Sequence, residues 1–151
     1  MKRFTLFCLI TLLTVVAAAA QGPNPIRWRL SVKMTSDTEG VITLRALVQE
    51  GWHLYGTELP ADGPKPTTFD FSQSVGIQTV GEITPSRQPL TVRDEMYEME
   101  LNWWDANVEF TQQFRITEPD GAKVIASVSF MGCNNVNCLP PKTETLTYIF
   151  K

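Results

Sequence analysis

A chain of 151 residues with 13 Lys and Arg against 16 Asp and Glu has a net charge near −3, and 43% of it is hydrophobic. That acidic balance argues against nucleic acid as a partner. The length fits one domain that can bury a sizeable core without needing a crosslink to hold it together.

The first element in chain order reads as a targeting segment and not as part of the fold. Met1, Lys2 and Arg3 put positive charge ahead of an apolar run from Phe4 to Val16, which ends in Ala17, Ala18, Ala19, Ala20 and Gln21. This is the pattern of a signal peptide over residues 1–20 with a small-residue cleavage site. Cys8 in this run follows Phe7, where lipoprotein processing requires a small residue. A retained anchor would need roughly 20 apolar residues without such a site. Without Lys2 and Arg3 the mature domain, residues 21–151, has 11 basic against 16 acidic residues and a net charge near −5. Its expected location is the periplasm, and no later apolar run could span a bilayer.

The remaining elements read as short strands. Trp28, Leu30, Val32 and Met34 alternate with Arg27, Arg29, Ser31 and Lys33, the period of a strand with one buried face. Similar runs predict strands over 41–49, 52–57, 67–71, 76–80, 108–116, 123–130 and 143–150, and nothing reads as a long helix. Turn-rich pieces such as Asp37 to Gly40, Pro60 to Pro64 and Glu118 to Gly121 separate them. Residues 59–66 and 82–100 read as long connections, the second holding the densest charge. Phe69, Phe71, Phe110 and Phe114 have the parity of core residues, and Trp103 and Trp104 read as strand edge and core. Seven or eight short strands at this spacing predict an all-β fold, an immunoglobulin-like antiparallel β-sandwich.

The chemistry concentrates in residues 130–141, where Cys133 and Cys138 lie between two strand-like runs. The expected picture is a hairpin tip with a cysteine at the end of each strand. Gly132 removes bulk, and Asn134, Asn135 and Asn137 tolerate a left-handed backbone. In an oxidising compartment the two cysteines are expected to pair. Spacing alone leaves open whether such a bond is structural or exchange-active. Two cysteines and the lone histidine, His53, fall short of a structural zinc site, so no metal and no cofactor is expected.

Three motifs in order then carry a resemblance across most of the mature chain: Gly51-Trp52-His53-Leu54-Tyr55, Asp94-Glu95-Met96-Tyr97, and the Cys133 to Cys138 hairpin followed by Leu139-Pro140-Pro141-Lys142. Together they resemble the N-terminal periplasmic domain of the thiol:disulfide interchange protein DsbD. The resemblance implies a domain that receives reducing equivalents from a membrane electron donor and passes them to thioredoxin-like periplasmic oxidoreductases. It makes Cys133 and Cys138 the catalytic pair, with Cys138 forming the intermolecular bond and Cys133 resolving it. It makes Asp94 to Tyr97 a cap loop over the disulfide, with Met96 as the capping side chain and with His53 and Tyr55 among the residues lining the site. His53 beside a cysteine would tune thiolate formation, and Asp94 and Glu95 near a thiol would raise its pKa or carry its proton. Two departures stand out: the family usually has an aromatic residue where this chain has Met96, and five residues between the cysteines where this chain has four. The competing expectations are a non-catalytic binding module with a structural disulfide, and a carbohydrate- or surface-binding sandwich using Trp103 and Trp104.

Overall fold

The computed structural model describes residues 22–151. Residues 1–20, read above as a signal peptide, and Cys8 among them lie outside the described residues. The described chain forms eleven strands: β1 (Ile26–Met34), β2 (Glu39–Val48), β3 (His53–Tyr55), β4 (Thr68–Asp70), β5 (Ile77–Pro85), β6 (Leu90–Asp94), β7 (Met99–Trp104), β8 (Val108–Ile116), β9 (Lys123–Phe130), β10 (Gly132–Cys133) and β11 (Lys142–Ile149). It has no helix, and every strand pairing is antiparallel. The strands make three sheets in the orders β1-β2-β8-β5, β11-β9-β4 and β10-β3-β7-β6. The fold is the expected immunoglobulin-like antiparallel sandwich.

Alternation explains which faces meet. In β2 Ile42, Leu44 and Ala46 are buried, in β8 Val108, Phe110 and Phe114, and in β9 Val124, Ala126, Val128 and Phe130. These stripes close on one another around Trp28 of β1, whose ring lies 5.8 Å from Phe69, 5.8 Å from Phe110 and 5.7 Å from Phe130. Each valine, leucine, isoleucine or phenylalanine among them contributes about 1.5–3 kcal/mol by leaving water. Gln112 is the polar member of the buried β8 stripe, and its amide donates to the carbonyls of Val80, Gly81 and Gln113. That satisfies a buried polar group where β5 slips register against β8 between Val80 and Thr84.

Three sequence expectations change. Residues 82–100 are not one long connection: they hold the end of β5, all of β6 and the start of β7, and β6 pairs with β7 from Leu90↔Trp103 to Asp94↔Met99. Charge hid these strands, because residues such as Arg93 and Glu100 occupy positions open to water. Met34 has core parity but is 38% exposed, because it closes the end of β1 opposite Gly40, where the strand pair runs out into its turn. Trp103 and Trp104 sit on an interior strand between β3 and β6, so they present opposite faces, Trp104 to the main core and Trp103 to the other side. They do not form an exposed aromatic platform.

The same parity operates in β3. Leu54 packs into the main core, while His53 and Tyr55 point to the opposite face, yet all three are buried. Something covers that second face, and it is the region around the cysteines.

Candidate functional site

Strands β9 and β11 stay paired as far as Phe130↔Lys142, and the loop beyond them carries both cysteines. The cysteines therefore do not end the two long strands. Gly132 and Cys133 turn aside to pair with β3, Gly132 opposite Leu54 and Cys133 opposite His53. Glycine leaves room there for Ile26, whose Cδ1 would stand 2.6 Å from a Cβ on residue 132 and would have to shift. Cys133 also bridges Cys138, and a disulfide joins them with their Cα atoms 4.1 Å apart. The asparagines work differently from expectation: among the described residues Glu98 is the one non-glycine residue with positive φ. Asn134 shapes the loop with its side chain, whose Oδ1 accepts the amides of Val136 at 2.8 Å and Asn137 at 2.6 Å.

The two sulfur-bearing residues differ in access. Cys133 is 1% exposed, whereas Cys138 is half-buried and lines a cleft of about 400 Å³ together with His53, Tyr55, Asp94, Met96 and Trp103. A larger cleft of about 630 Å³ lies beside Pro23, Phe130, Leu139 and Pro140, but neither cysteine lines it. The chemistry therefore faces the smaller cleft.

The β6–β7 hairpin closes this cleft. Asp94, the last residue of β6, is buried and works in two directions. Its Oδ1 accepts the backbone amides of Met96 at 2.8 Å and Tyr97 at 3.0 Å, which sets the turn. Its Oδ2 accepts the Tyr55 hydroxyl at 2.9 Å, which ties that turn to β3. Tyr55 is in turn held by Thr67, whose hydroxyl donates to the Tyr55 carbonyl at 2.6 Å. The Tyr55 hydroxyl lies 4.0 Å from Cys138 Sγ, and Met96 Sδ lies 3.5 Å from the same sulfur. Met96 is 51% exposed and lines the same cleft. Tyr97 packs edge-on to Tyr55, with ring centres 6.2 Å apart. Glu95 is exposed at the mouth of the cleft.

His53 lies flat against Trp103 with ring centres 4.0 Å apart, and Tyr55 meets it edge-on at 5.0 Å. Its Nε2 is buried and has no hydrogen-bond partner among the described residues. Burial holds the imidazole below its ordinary pKa of 6.5, partly opposed by the charges of Asp94 and Asp105. Burial, reinforced by the hydrogen bond and charge of Asp94, pushes the Tyr55 phenol well above its ordinary value. Trp103 and Thr67 are site residues that pattern reading did not find. The signal for Trp103 was present: two adjacent tryptophans in one strand must face opposite ways. Among the described residues no group of three or more His, Cys, Asp or Glu is placed to hold a metal.

Fold and site together define an immunoglobulin-like β-sandwich whose disulfide shares a cleft with the turn between β6 and β7. The sequence profile of the family described as "Thiol:disulfide interchange protein DsbD, N-terminal" matches residues 21–149, and the chain belongs to that family. The structure is similar to the reduced DsbD N-terminal domain of Neisseria meningitidis, with a TM-score of 0.55 and 15% identity over 84% of this chain and 91% of that one. It is also similar to the N-terminal periplasmic domain of ScsB from Proteus mirabilis, with a TM-score of 0.61 and 17% identity over 83% of this chain and 46% of that one. A third likeness is to a structure of the complex between the DsbD and PilB N-terminal domains of Neisseria meningitidis, with a TM-score of 0.51 and 12% identity over 80% of each chain. At these identities the structures share a fold. No curated protein sequence matches the chain.

Proposed function

We propose that this domain carries out thiol:disulfide interchange in the periplasm, passing reducing equivalents through Cys133 and Cys138 to thioredoxin-like oxidoreductases after reduction by a membrane electron donor. Family membership supports interchange in general. The observation that carries the finer reading is the unequal access of the two cysteines, Cys138 opening to the cleft and Cys133 buried against β3. The meningococcal complex of DsbD and PilB N-terminal domains is a precedent for a protein partner of such a domain. The periplasmic ScsB domain and the signal-peptide pattern of residues 1–20 support the location.

In the reduced domain the Cys138 thiolate attacks one sulfur of the partner's disulfide, a mixed disulfide forms, and one partner thiolate leaves. The Cys133 thiolate then attacks Cys138 Sγ, the intramolecular bond closes, and the second partner thiolate departs. Two electrons pass to the partner. Cys133 must lose its proton away from bulk water, and burial disfavours a thiolate there. His53, its cross-strand neighbour, is kept neutral by burial and has an unpartnered Nε2. The proton of Cys133 ends on the departing partner thiolate. Asp94 holds the turn that carries Met96.

Trapping tests the assignment. Cys133→Ser, which leaves Cys138 free, is expected to accumulate a mixed disulfide with a thioredoxin-like protein, and Cys138→Ser is not. If neither variant is trapped, the interchange reading falls and a binding module with a structural disulfide takes its place; if Cys138→Ser is trapped equally well, the cysteine roles are wrong.

A further inference from the structure

We infer that Met96 is a site of reversible oxidative modification, at which a peroxide converts the thioether to a sulfoxide and so uncovers the disulfide. The inference rests on the interchange reading and adds what regulates access to the same pair. Three observations place this chemistry on Met96. It is the most exposed of the described methionines, at 51% against 38% for Met34 and 9% for Met131, with Met99 half-buried. Its Sδ stands 3.5 Å from Cys138 Sγ, and both residues line the same cleft. Its backbone amide is held by Asp94, so the side chain is presented to peroxide while the turn beneath it stays anchored.

The chemistry balances without another reagent. The thioether sulfur attacks one peroxide oxygen, the O–O bond breaks, a sulfur–oxygen bond forms, and the second oxygen leaves as water. Sulfur is oxidised by two electrons and peroxide is reduced by two. The cysteines, joined as a disulfide, hold no thiolate for the same oxidant to consume. A thioether is soft and apolar and packs well against sulfur, here Cys138 Sγ at 3.5 Å. A sulfoxide is polar and a strong acceptor, so it favours water over that apolar contact, and the side chain lifts from Cys138. Two thiols acting through a sulfoxide reductase restore the thioether, yielding a disulfide and water. Peroxide would in this way speed reduction of the very domain that supplies electrons under oxidising conditions.

The test uses the disulfide-bonded mature domain treated with hydrogen peroxide, with peptide mass mapping of each methionine and the rate of reduction by dithiothreitol as readout. The expected result is one added oxygen on Met96 and a reduction rate higher than that of the untreated domain. Met96→Leu, in which Met34 still oxidises, is expected to show no rate response to peroxide. A rate unchanged or slowed once Met96 is modified, no modification at Met96, or an equal response in Met96→Leu would each overturn the inference. Dithiothreitol needs no protein partner, so a gated disulfide that nonetheless fails the trapping experiment separates this inference from the interchange reading.

Discussion

The two hydrophobic clusters of this domain are built to opposite rules. The large one, between β1-β2-β8-β5 and β11-β9-β4, is aliphatic and aromatic, with Ile42, Leu44, Ala46, Val124 and Val128 fully hidden. The small one, Tyr55, Leu101, Met131 and Cys133, lies across β3 and β7 and shares its space with His53 and Asp94. The first is stable and chemically silent. The second has few apolar contacts and mixes them with an imidazole, a carboxylate and a disulfide, the composition expected of a region whose opening costs little, while a buried nitrogen without a partner occurs in both, Trp28 Nε1 and His53 Nε2. The difference teaches that this sandwich keeps its stability in one layer so that another can stay reactive.

Mutations in the two regions should therefore separate stability from exchange. Phe110→Ala, which removes a ring packed against Trp28, Phe69 and Trp104, is expected to cost about 3–5 kcal/mol in denaturant unfolding. Its thiol exchange per folded molecule should be unchanged. Asp94→Ala should cost less, about 1.5–3 kcal/mol, since it leaves the buried Tyr55 hydroxyl and two turn amides without their acceptor. It should also raise the rate of disulfide reduction by dithiothreitol. Replacing both Cys133 and Cys138 with serine should cost about 2 kcal/mol, the value for closing a short loop, and leave the domain folded.

The smallest effect is in pH dependence. His53 has its folded pKa below 6.5, so above that pH it is neutral in both states. Below it the unfolded chain binds a proton that the folded chain refuses, and stability falls as pH drops. His53→Phe should flatten that acid limb in unfolding curves measured across pH 4–7. Tyr55 is shifted the other way, so its contribution is present below pH 10 and is lost as pH rises past 10, where the unfolded tyrosine ionises and the buried one does not. Tyr55→Phe should remove that alkaline loss.

The same contrast governs how much was legible in the sequence. Strands of the main core show clean alternation, as in Val124, Ala126, Val128 and Phe130, because one face is buried and the other wet. Strands of the site layer do not, because β3 is covered on both faces and β6 and β7 carry charge beside half-buried residues. The cysteine pair was visible from spacing, and the motif around Asp94 pointed to the turn. The links from Asp94 to Tyr55, from Thr67 to Tyr55 and from His53 to Trp103 were not visible, since each joins residues far apart in sequence that only strand order brings together.

The central claim is that Cys133 and Cys138 form an exchange-active pair. The most direct test is the reduction potential of their disulfide, obtained by equilibrating the mature domain in glutathione or dithiothreitol buffers and counting free thiols. An exchange-active pair should give a value between about −120 and −270 mV, within reach of thioredoxin-like partners. A value below about −300 mV, where structural disulfides of secreted proteins lie, would contradict it.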